Sequence, residues 1–243
     1  MKQFICIVII TGWVLWGIEG VGQQHQQIKH YVRQLLPNNA TQLSTLTRID
    51  QAINTYVNTL VQKRKRYNND RRFLKFVFYN VHRKFLKHFQ MHRDFSAIFN
   101  GQKTYNCISG ATLYAFILQQ LDFKYSIYET PFHVYLIVHT PKYPQILLDP
   151  TDPHQGFLYN PYAIQKRVRY HSETDGVKLN AKISLQQLIG LQYYNQGVFQ
   201  FNQQKFDRAL VKLSRAQDLY PSRRIKALLV LTQHYYKAGL VEK

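Results

Sequence analysis

The sequence predicts an α+β fold in which a buried helix packs on a small antiparallel sheet and an α-helical hairpin follows. Three observations predict it. Residues 107–120 are apolar nearly all round, as in a helix that is buried on every side. Short runs rich in β-branched and aromatic residues lie between residues 125 and 149, joined by short connections that favour antiparallel pairing. From residue 184 onward the apolar residues recur at helical spacing.

The first 22 residues have the pattern of a signal peptide. A short, weakly positive start precedes a continuous apolar run from Phe4 to Ile18, and small residues at 20–22 follow where a signal peptidase would cut. The run is short for a membrane span. We therefore expect an exported protein, periplasmic or secreted, with no membrane segment after cleavage. The alternative is an uncleaved membrane anchor.

Cleavage of the signal peptide would leave one cysteine. The chain has two, and Cys6 lies inside the apolar run, so Cys107 would be the remaining thiol and could form no internal disulfide. An unpaired cysteine in an oxidising compartment is either buried in the core or used as a reactive group. On this observation alone both interpretations stay open.

The net charge of +19 is partly concentrated in the stretch from Lys63 to Arg93. This stretch could bind a polyanion or an anionic surface, or it could form the solvated faces of two helices and a loop. The sequence shows no nucleic-acid-binding motif, zinc-finger spacing or glycine-rich phosphate loop. We therefore expect no specific nucleic-acid partner.

Two amphipathic helices are predicted before the buried helix. The first runs from Ser44 to Val61, with Ser44 or Thr45 as its cap. The second runs from Arg71 to Phe89, and residues 94–104 are expected to be irregular. The residues that the second helix is expected to bury are Phe73, Phe76, Val77, Val81, Phe85 and Phe89.

The start of the buried helix is suited to a reactive thiol. Asn106 is a good N-cap candidate and places Cys107 in the first turn. Residues 109–111 are small, so another element can pack close beside the thiol. Unpaired backbone N–H groups and the helix dipole at this end favour a thiolate and can stabilise an oxyanion.

Three strands are predicted at residues 125–130, 133–139 and 145–149. His133 begins the second of them and Asp149 ends the third. In an antiparallel pair the start of one strand lies beside the end of the next, so the imidazole and the carboxylate can meet.

The predicted domain organisation divides the chain into three parts. Residues 1–22 form the signal peptide, residues 23–175 a core domain with N-terminal helices, and residues 183–243 a helical segment. At the end of the core, residues 165–171 are expected to add a strand. Residues 172–182 are polar and are expected to form a linker.

The C-terminal segment is predicted to hold three helices, at residues 185–201, 204–219 and 222–236. Small and apolar residues in the first two helices are spaced as in a tetratricopeptide repeat, where small residues sit at the helix crossing and a proline ends the second helix. One repeat is too short for a ligand-binding superhelix, so we expect it to pack on the core domain. The residues that carry this spacing are Gly197, Phe206, Ala209, Leu213, Ala216 and Pro221.

Cys107, His133 and Asp149 are the candidate catalytic residues. An imidazole stabilises a nucleophilic thiolate, and a carboxylate holds the imidazole in one tautomer. Taken singly, they could be a buried thiol, a core histidine and a turn-forming aspartate. A metal site formed by the three together with His139 would lack the tight ligand spacing of structural zinc sites, so we expect no metal or cofactor.

The motifs Asn106–Ala111, Phe132–Val134 and Leu148–Thr151 place a cysteine at the start of a buried helix, a histidine on a following strand and an aspartate in an Asp-Pro-Thr sequence. In this order and spacing the chain resembles the transglutaminase-like superfamily of papain-related folds. The resemblance covers roughly residues 70–155. It is greatest to small bacterial exported members with helical repeats after the core.

The resemblance implies a cysteine protease, amidase or acyltransferase. Cys107 would form a thioester with a peptide, amide or glutamine carbonyl, His133 would be the general base and acid, and Asp149 would orient His133. Some relatives place a tryptophan near the oxyanion, which the mature chain lacks. The oxyanion candidates are therefore the Cys107 backbone N–H and a side chain such as that of Tyr105 or Gln102.

The alternative function is a non-catalytic scaffold. Such a protein would use the same fold, the basic helices and the helical repeat to bind a protein or a polyanionic partner. The sequence identifies neither the substrate nor the oligomeric state.

Overall fold

The computed structural model describes residues 25–36, 40–174 and 177–241. The predicted signal peptide, residues 1–22, lies outside them. None of the helices within these three ranges is long and apolar enough to cross a membrane.

The described residues form α-helices and short β-strands. The helices are α1 (25–35), α2 (Gln42–Arg64), α3 (Asp70–Lys84), α4 (Cys107–Gln120), α5 (Pro161–Ser172), α6 (Leu185–Asn202), α7 (Phe206–Leu219) and α8 (Arg223–Val241), with a 3-10 helix at Phe95–Phe99. The strands are β1 (His88–Phe89), β2 (Thr104–Tyr105), β3 (Lys124–Glu129), β4 (Val134–His139), β5 (Ile146–Leu148), β6 (Phe157–Leu158), β7 (Glu173–Thr174), β8 (Val177–Lys178) and β9 (Ala181–Ile183).

The central sheet has five antiparallel strands in the order β6-β5-β4-β3-β9. Helix α4 packs against β3 and β4, and every residue from Ile108 to Leu118 in it is buried. An apolar helix is stable only when other elements cover all of its faces, and here the sheet, α2 and α6 provide that cover. The predicted α+β fold with a buried helix on a small antiparallel sheet is confirmed at this level.

The boundaries of the two N-terminal helices differ from the prediction. Helix α2 begins at Gln42, so Ser44 and Thr45 lie within its first turn instead of capping it. Helix α3 ends at Lys84 because the chain then turns into β1, which pairs in parallel with β2. Phe89 in β1 is therefore half exposed, and the prediction that a helix buries it is wrong.

The segment before the C-terminal helices was also mispredicted. Residues 165–171 belong to α5 and form no strand, because the Asn160 side chain accepts a hydrogen bond from Ala163 N and Pro161 occupies the first turn. The predicted linker, residues 172–182, includes most of β9, which pairs with β3 in the central sheet. The expected irregular region, residues 94–104, includes the 3-10 helix.

The C-terminal helices begin and end within a few residues of their predicted bounds. Gly197 of α6 lies against Leu213 of α7, and a Cβ added to Gly197 would be 2.6 Å from Leu213 Cδ2. The small residue therefore lies at the helix crossing, as the repeat spacing predicted. Helix α6 also packs on α4, and Gln192 in it is buried and donates a hydrogen bond to Arg93 O. The segment packs on the core, as expected.

Candidate active site

Cys107 is the first residue of α4 and is partly exposed. Asn106 caps the helix as predicted: its Oδ1 accepts a hydrogen bond from Ser109 N at 2.8 Å, and Ser109 Oγ accepts one from Asn106 N at 2.9 Å. The Asn106 amide also donates to the carbonyl oxygens of Met91 and Arg93. The cap therefore fixes the start of the helix and, with it, the position of the thiol.

The small residues after Cys107 allow a close approach to the helix. A Cβ added to Gly110 would be 2.9 Å from Pro150 Cβ and 3.3 Å from Tyr105 Cδ2. The loop that follows β5 thus packs directly on the first turn of α4. This contact brings Asp149, the residue before Pro150, to the same end of the helix as the thiol.

His133 and Asp149 meet across the antiparallel pair of β4 and β5. His133 directly precedes β4 and is held by Thr130, whose Oγ1 accepts from His133 N at 3.1 Å and whose N donates to His133 O at 2.9 Å. Asp149 directly follows β5. The His133 Nε2 atom lies 2.9 Å from Asp149 Oδ1. The contact predicted from the strand order is present.

The Asp149 carboxylate is buried and accepts five hydrogen bonds. Oδ1 accepts from His133 Nε2, from Thr151 N at 3.0 Å and from Thr151 Oγ1 at 2.8 Å. Oδ2 accepts from Arg167 Nη1 at 2.7 Å and from His171 Nε2 at 3.2 Å. Burial tends to raise the pKa of Asp149, but the hydrogen bonds from His133 and His171 lower it well below its usual range. The group is therefore a carboxylate at neutral pH.

The pKa of His133 is raised from its ordinary value of 6.5 to about 9. Burial lowers this pKa, but the hydrogen bonds to Asp149 and to the Cys107 side chain, together with their charges, raise it by more. At neutral pH the ring is therefore mostly the imidazolium form. The structure thus brings the three predicted catalytic residues into one interacting group.

Sequence reasoning missed two members of this group, Arg167 and His171. Both are on α5, where a strand was expected. Arg167 Nη2 also donates to Asp152 Oδ2 at 2.9 Å, so the guanidinium bridges the two acids of the Asp-Pro-Thr-Asp segment. Residues four apart share a helix face. Had Asn160 and Pro161 been recognised as a helix start, the spacing of Arg167 and His171 would have indicated a common partner.

A cavity of about 320 Å³ opens beside the thiol. Its wall includes Cys107, His133 and the turn between β3 and β4. Helix α6 of the C-terminal segment forms the opposite side, which the sequence did not predict. The residues of α6 in this wall are Leu191, Tyr194, Asn195 and Val198.

Of the oxyanion candidates, Cys107 is the one that lines the cavity. Tyr105 is buried in β2, and burial raises its pKa to about 12. Gln102 is exposed in the turn before β2. Neither of these two side chains is part of the cavity wall. The amide side chain of Asn195, by contrast, is part of the cavity wall.

Among the residues that the structure describes, one group of side chains could hold a metal ion: His133, Asp149 and His171, whose ligand atoms lie within 4.8 Å of one another. His139, part of the metal hypothesis from the sequence, is at the far end of β4 and contacts Ser126 and Pro144 O instead. The Arg167 guanidinium on Asp149 supplies a positive charge that disfavours a cation at the same carboxylate. The donor set therefore fits a hydrogen-bonded network better than a metal centre.

Several basic side chains between Lys63 and Arg93 lie over aromatic rings of the protein itself. Arg64 lies 4.7 Å from the ring centroid of Phe73, and Arg71 lies 4.5 Å from that of Tyr159. No lysine or arginine of this stretch is in the wall of the cavity beside Cys107. The proposed polyanion partner stays a prediction.

No protein-family model, curated protein or solved structure matches this chain. The interpretation of the site therefore depends on the geometry of its own residues. The resemblance in the motifs around Cys107, His133 and Asp149 stays a prediction.

Proposed function

We propose that this protein is a cysteine hydrolase or acyltransferase that acts on a peptide, amide or glutamine carbonyl through a thioester on Cys107. One observation carries the proposal. The buried Asp149 carboxylate lies 2.9 Å from His133 Nε2, and the same imidazole interacts with Cys107 in the wall of an open cavity. We also propose that the core is of the papain-related, transglutaminase-like type, because the thiol, the imidazole and the acid come from the helix, strand and strand end that this type uses.

His133 is the group that activates Cys107 in this proposal. Asp149 occupies Nε2 of His133, which leaves Nδ1 as the ring nitrogen available to the thiol. The raised pKa of His133 keeps the ring protonated at neutral pH, so it holds a proton for the leaving group. Attack on a carbonyl requires a thiolate, and a neighbouring imidazolium and a helix N-terminus are the groups that generally stabilise one.

The reaction then has two halves. In the first, the Cys107 thiolate attacks the carbonyl carbon, and the C–N bond breaks as His133 gives its proton to the leaving amine. In the second, neutral His133 takes a proton from water as its oxygen attacks the thioester, which releases a carboxylic acid and restores the thiolate. When an amine attacks in place of water, the product is a new amide. The Cys107 backbone N–H stabilises the oxyanion in both halves.

Alkylation by iodoacetamide at about pH 6 tests the proposal. An ordinary thiol, with a pKa near 8.5, is almost inert at this pH, whereas a thiolate paired with an imidazolium reacts. We expect rapid modification of Cys107, located by peptide mapping so that Cys6 is excluded. The rate should fall at least tenfold in His133→Ala and remain unchanged in His139→Ala, the matched control at the far end of β4.

Two outcomes would overturn the proposal. Slow modification of Cys107 that is independent of His133 would indicate a core thiol and favour the binding-scaffold alternative. Slow modification that a chelator accelerates would indicate a metal on the thiol.

A further inference from the structure

Phe132 and His133 both line two hollows of the surface. One is the cavity of about 320 Å³ that contains Cys107. The other is a more open hollow of about 660 Å³. Because both hollows border His133, a peptide whose carbonyl carbon lies at the sulfur can extend from one hollow into the other.

The hollow with Cys107 has a mainly apolar wall and large exposed apolar side chains beside it. Leu191 and Val198 of α6 face it from the C-terminal segment, and Ile108 of α4 faces it from the core. Among its lining residues, Phe132 is 72% exposed and Met91 is 63% exposed. Large exposed apolar side chains that gather at a cleft mark a binding surface, because their exposure to water is unfavourable until a ligand covers them.

The second hollow is basic. Lys166 and Arg169 of α5 are exposed and line it, and the exposed Tyr170 and the partly buried His171 line it as well. Lys166 and Arg169 are three residues apart and therefore share a helix face. Glu173 is the one carboxylate among the residues that line this hollow, so its lining carries an excess of positive charge even with His171 neutral. Arg167, between them in sequence, is engaged with Asp149 and Asp152 instead.

We propose that the substrate is a peptide with a large apolar side chain in the cavity beside Cys107 and a carboxylate in the neighbouring basic hollow. This inference rests on the proposed function, because it takes Cys107 as the attacking group. Apolar burial supplies affinity on one side, and charge complementarity at Lys166 and Arg169 fixes the orientation of the chain on the other. The carboxylate is either an acidic side chain or the C-terminus of the peptide.

A competition experiment on the full chain tests the inference. The probes are amidated hexapeptides with phenylalanine at one position and glutamate at each other position in turn. Matched peptides carry glutamine for glutamate or serine for phenylalanine, and a further peptide has a free C-terminal carboxylate and no glutamate. The readout is the peptide concentration that halves the rate of Cys107 alkylation by iodoacetamide.

We expect at least one phenylalanine–glutamate peptide to protect Cys107 at a concentration tenfold or more below that of its glutamine and serine counterparts. If the free C-terminal peptide is the better protector, the carboxylate is that of a chain end. In Lys166→Glu/Arg169→Glu the preference for the carboxylate should disappear while the preference for phenylalanine persists. In Met91→Ser/Val198→Ser the preference for phenylalanine should disappear while the preference for the carboxylate persists.

The control variant is Lys65→Glu/Arg66→Glu, which changes the net charge equally at exposed residues that line neither hollow. It should keep both preferences. Equal loss of the carboxylate preference in both charge variants would overturn the inference, since overall charge would then account for it. Rapid alkylation of Cys107 with no difference among the peptides would overturn the inference alone. Sluggish alkylation without any peptide would count against the proposed function instead.

Discussion

The imidazole of His171 is stacked on that of His133, with ring centroids 4.1 Å apart and an interplanar angle of 26°. The two rings share an acceptor group, because each points Nε2 at one oxygen of Asp149. The stacking contact on one face and the hydrogen bond at Nε2 together restrict rotation of the His133 ring. His171 is therefore a positioning residue: it acts through His133 and Asp149 and contacts neither the thiol nor the cavity beside it.

Replacement of His171 separates stacking from hydrogen bonding. We expect His171→Ala to lower the rate of Cys107 alkylation at pH 6 by about 10- to 100-fold, because a misplaced imidazole loses its alignment with the thiol. His171→Phe keeps a ring on His133 and should recover most of the rate. In His171→Phe the Asp149 carboxylate loses the hydrogen bond from His171, so its charge interacts more strongly with His133. The pKa of His133 should therefore rise, which NMR of the histidine ring can measure. A normal alkylation rate in His171→Ala would contradict this positioning role, and an unchanged pKa of His133 in His171→Phe would contradict the sharing of the Asp149 charge.

Charge at the site makes stability depend on pH. The pKa of His133 is about 9 in the folded protein and has its ordinary value of 6.5 in the unfolded chain. The stabilisation that His133 provides is therefore fully present below pH 6.5 and is lost as the pH rises through 9. The free energy of unfolding, measured in urea, should fall by about 3 kcal/mol between pH 6 and pH 10 relative to His133→Gln. The lowered pKa of Asp149 acts in the opposite range: its stabilisation is present above pH 3.8 and is lost on acidification. Parallel curves for the two proteins would contradict the first expectation.

The parts of the site that the sequence predicted are those set by local rules. The cap at Asn106 and the pairing of consecutive strands require no distant contact, and together they place Cys107, His133 and Asp149. The missed parts come from elsewhere in the chain. The α6 wall of the cavity depends on how the C-terminal segment packs on α4. The spacing of apolar residues in α6 predicts a helix but not which element the helix packs against.

The errors in the fold have a similar cause. Residues 85–89 continue the apolar spacing of α3, but backbone pairing of β1 with β2 competes with the helix and prevails. The segment at residues 172–182 is polar, yet it supplies β9 because the edge of β3 offers unpaired backbone groups to it. Composition carries no signal for such tertiary pairing.

The line of phenylalanines in α3 gives a direct test of the packing. Phe76 is only partly buried and lies against Tyr67, whereas Phe78 is fully buried against Tyr114 and Phe157. Phe78→Ala should therefore cost about 3–5 kcal/mol in the free energy of unfolding. Phe76→Ala, at a position that the sequence also predicts to be buried, should cost clearly less because the ring is only partly buried. Equal losses of stability in the two variants would contradict the difference in burial between Phe76 and Phe78.

Gly156 controls the loop that holds Asp149. Its carbonyl oxygen accepts from Asp149 N at 2.8 Å and its N donates to Asp152 O at 2.9 Å, and an added Cβ would overlap both carbonyl oxygens of these acids. Gly156→Ala should cost about 1–3 kcal/mol by overpacking and should slow Cys107 alkylation as Asp149 moves. Gly101→Ala is the control and should change neither quantity, because no atom beyond its two chain neighbours lies within 4 Å of the added Cβ. A Gly156→Ala protein with normal stability and reactivity would contradict this role of the loop.

A buried ion pair joins the C-terminal helices to the strand that leads to His133. Glu129, at the end of β3, is 2% exposed; it accepts hydrogen bonds from Tyr220 Oη at 2.6 Å and from Arg224. Arg224→Met leaves the buried carboxylate without its cation and should cost about 3 kcal/mol, at the low end for such pairs because the guanidinium is one third exposed. Glu129→Gln/Arg224→Met should recover much of this loss, since the neutral amide requires no cation. Urea unfolding in a double-mutant cycle measures the coupling, with Arg223→Met as the exposed control. Additive losses would mean that the pair contributes nothing to the attachment of the C-terminal helices.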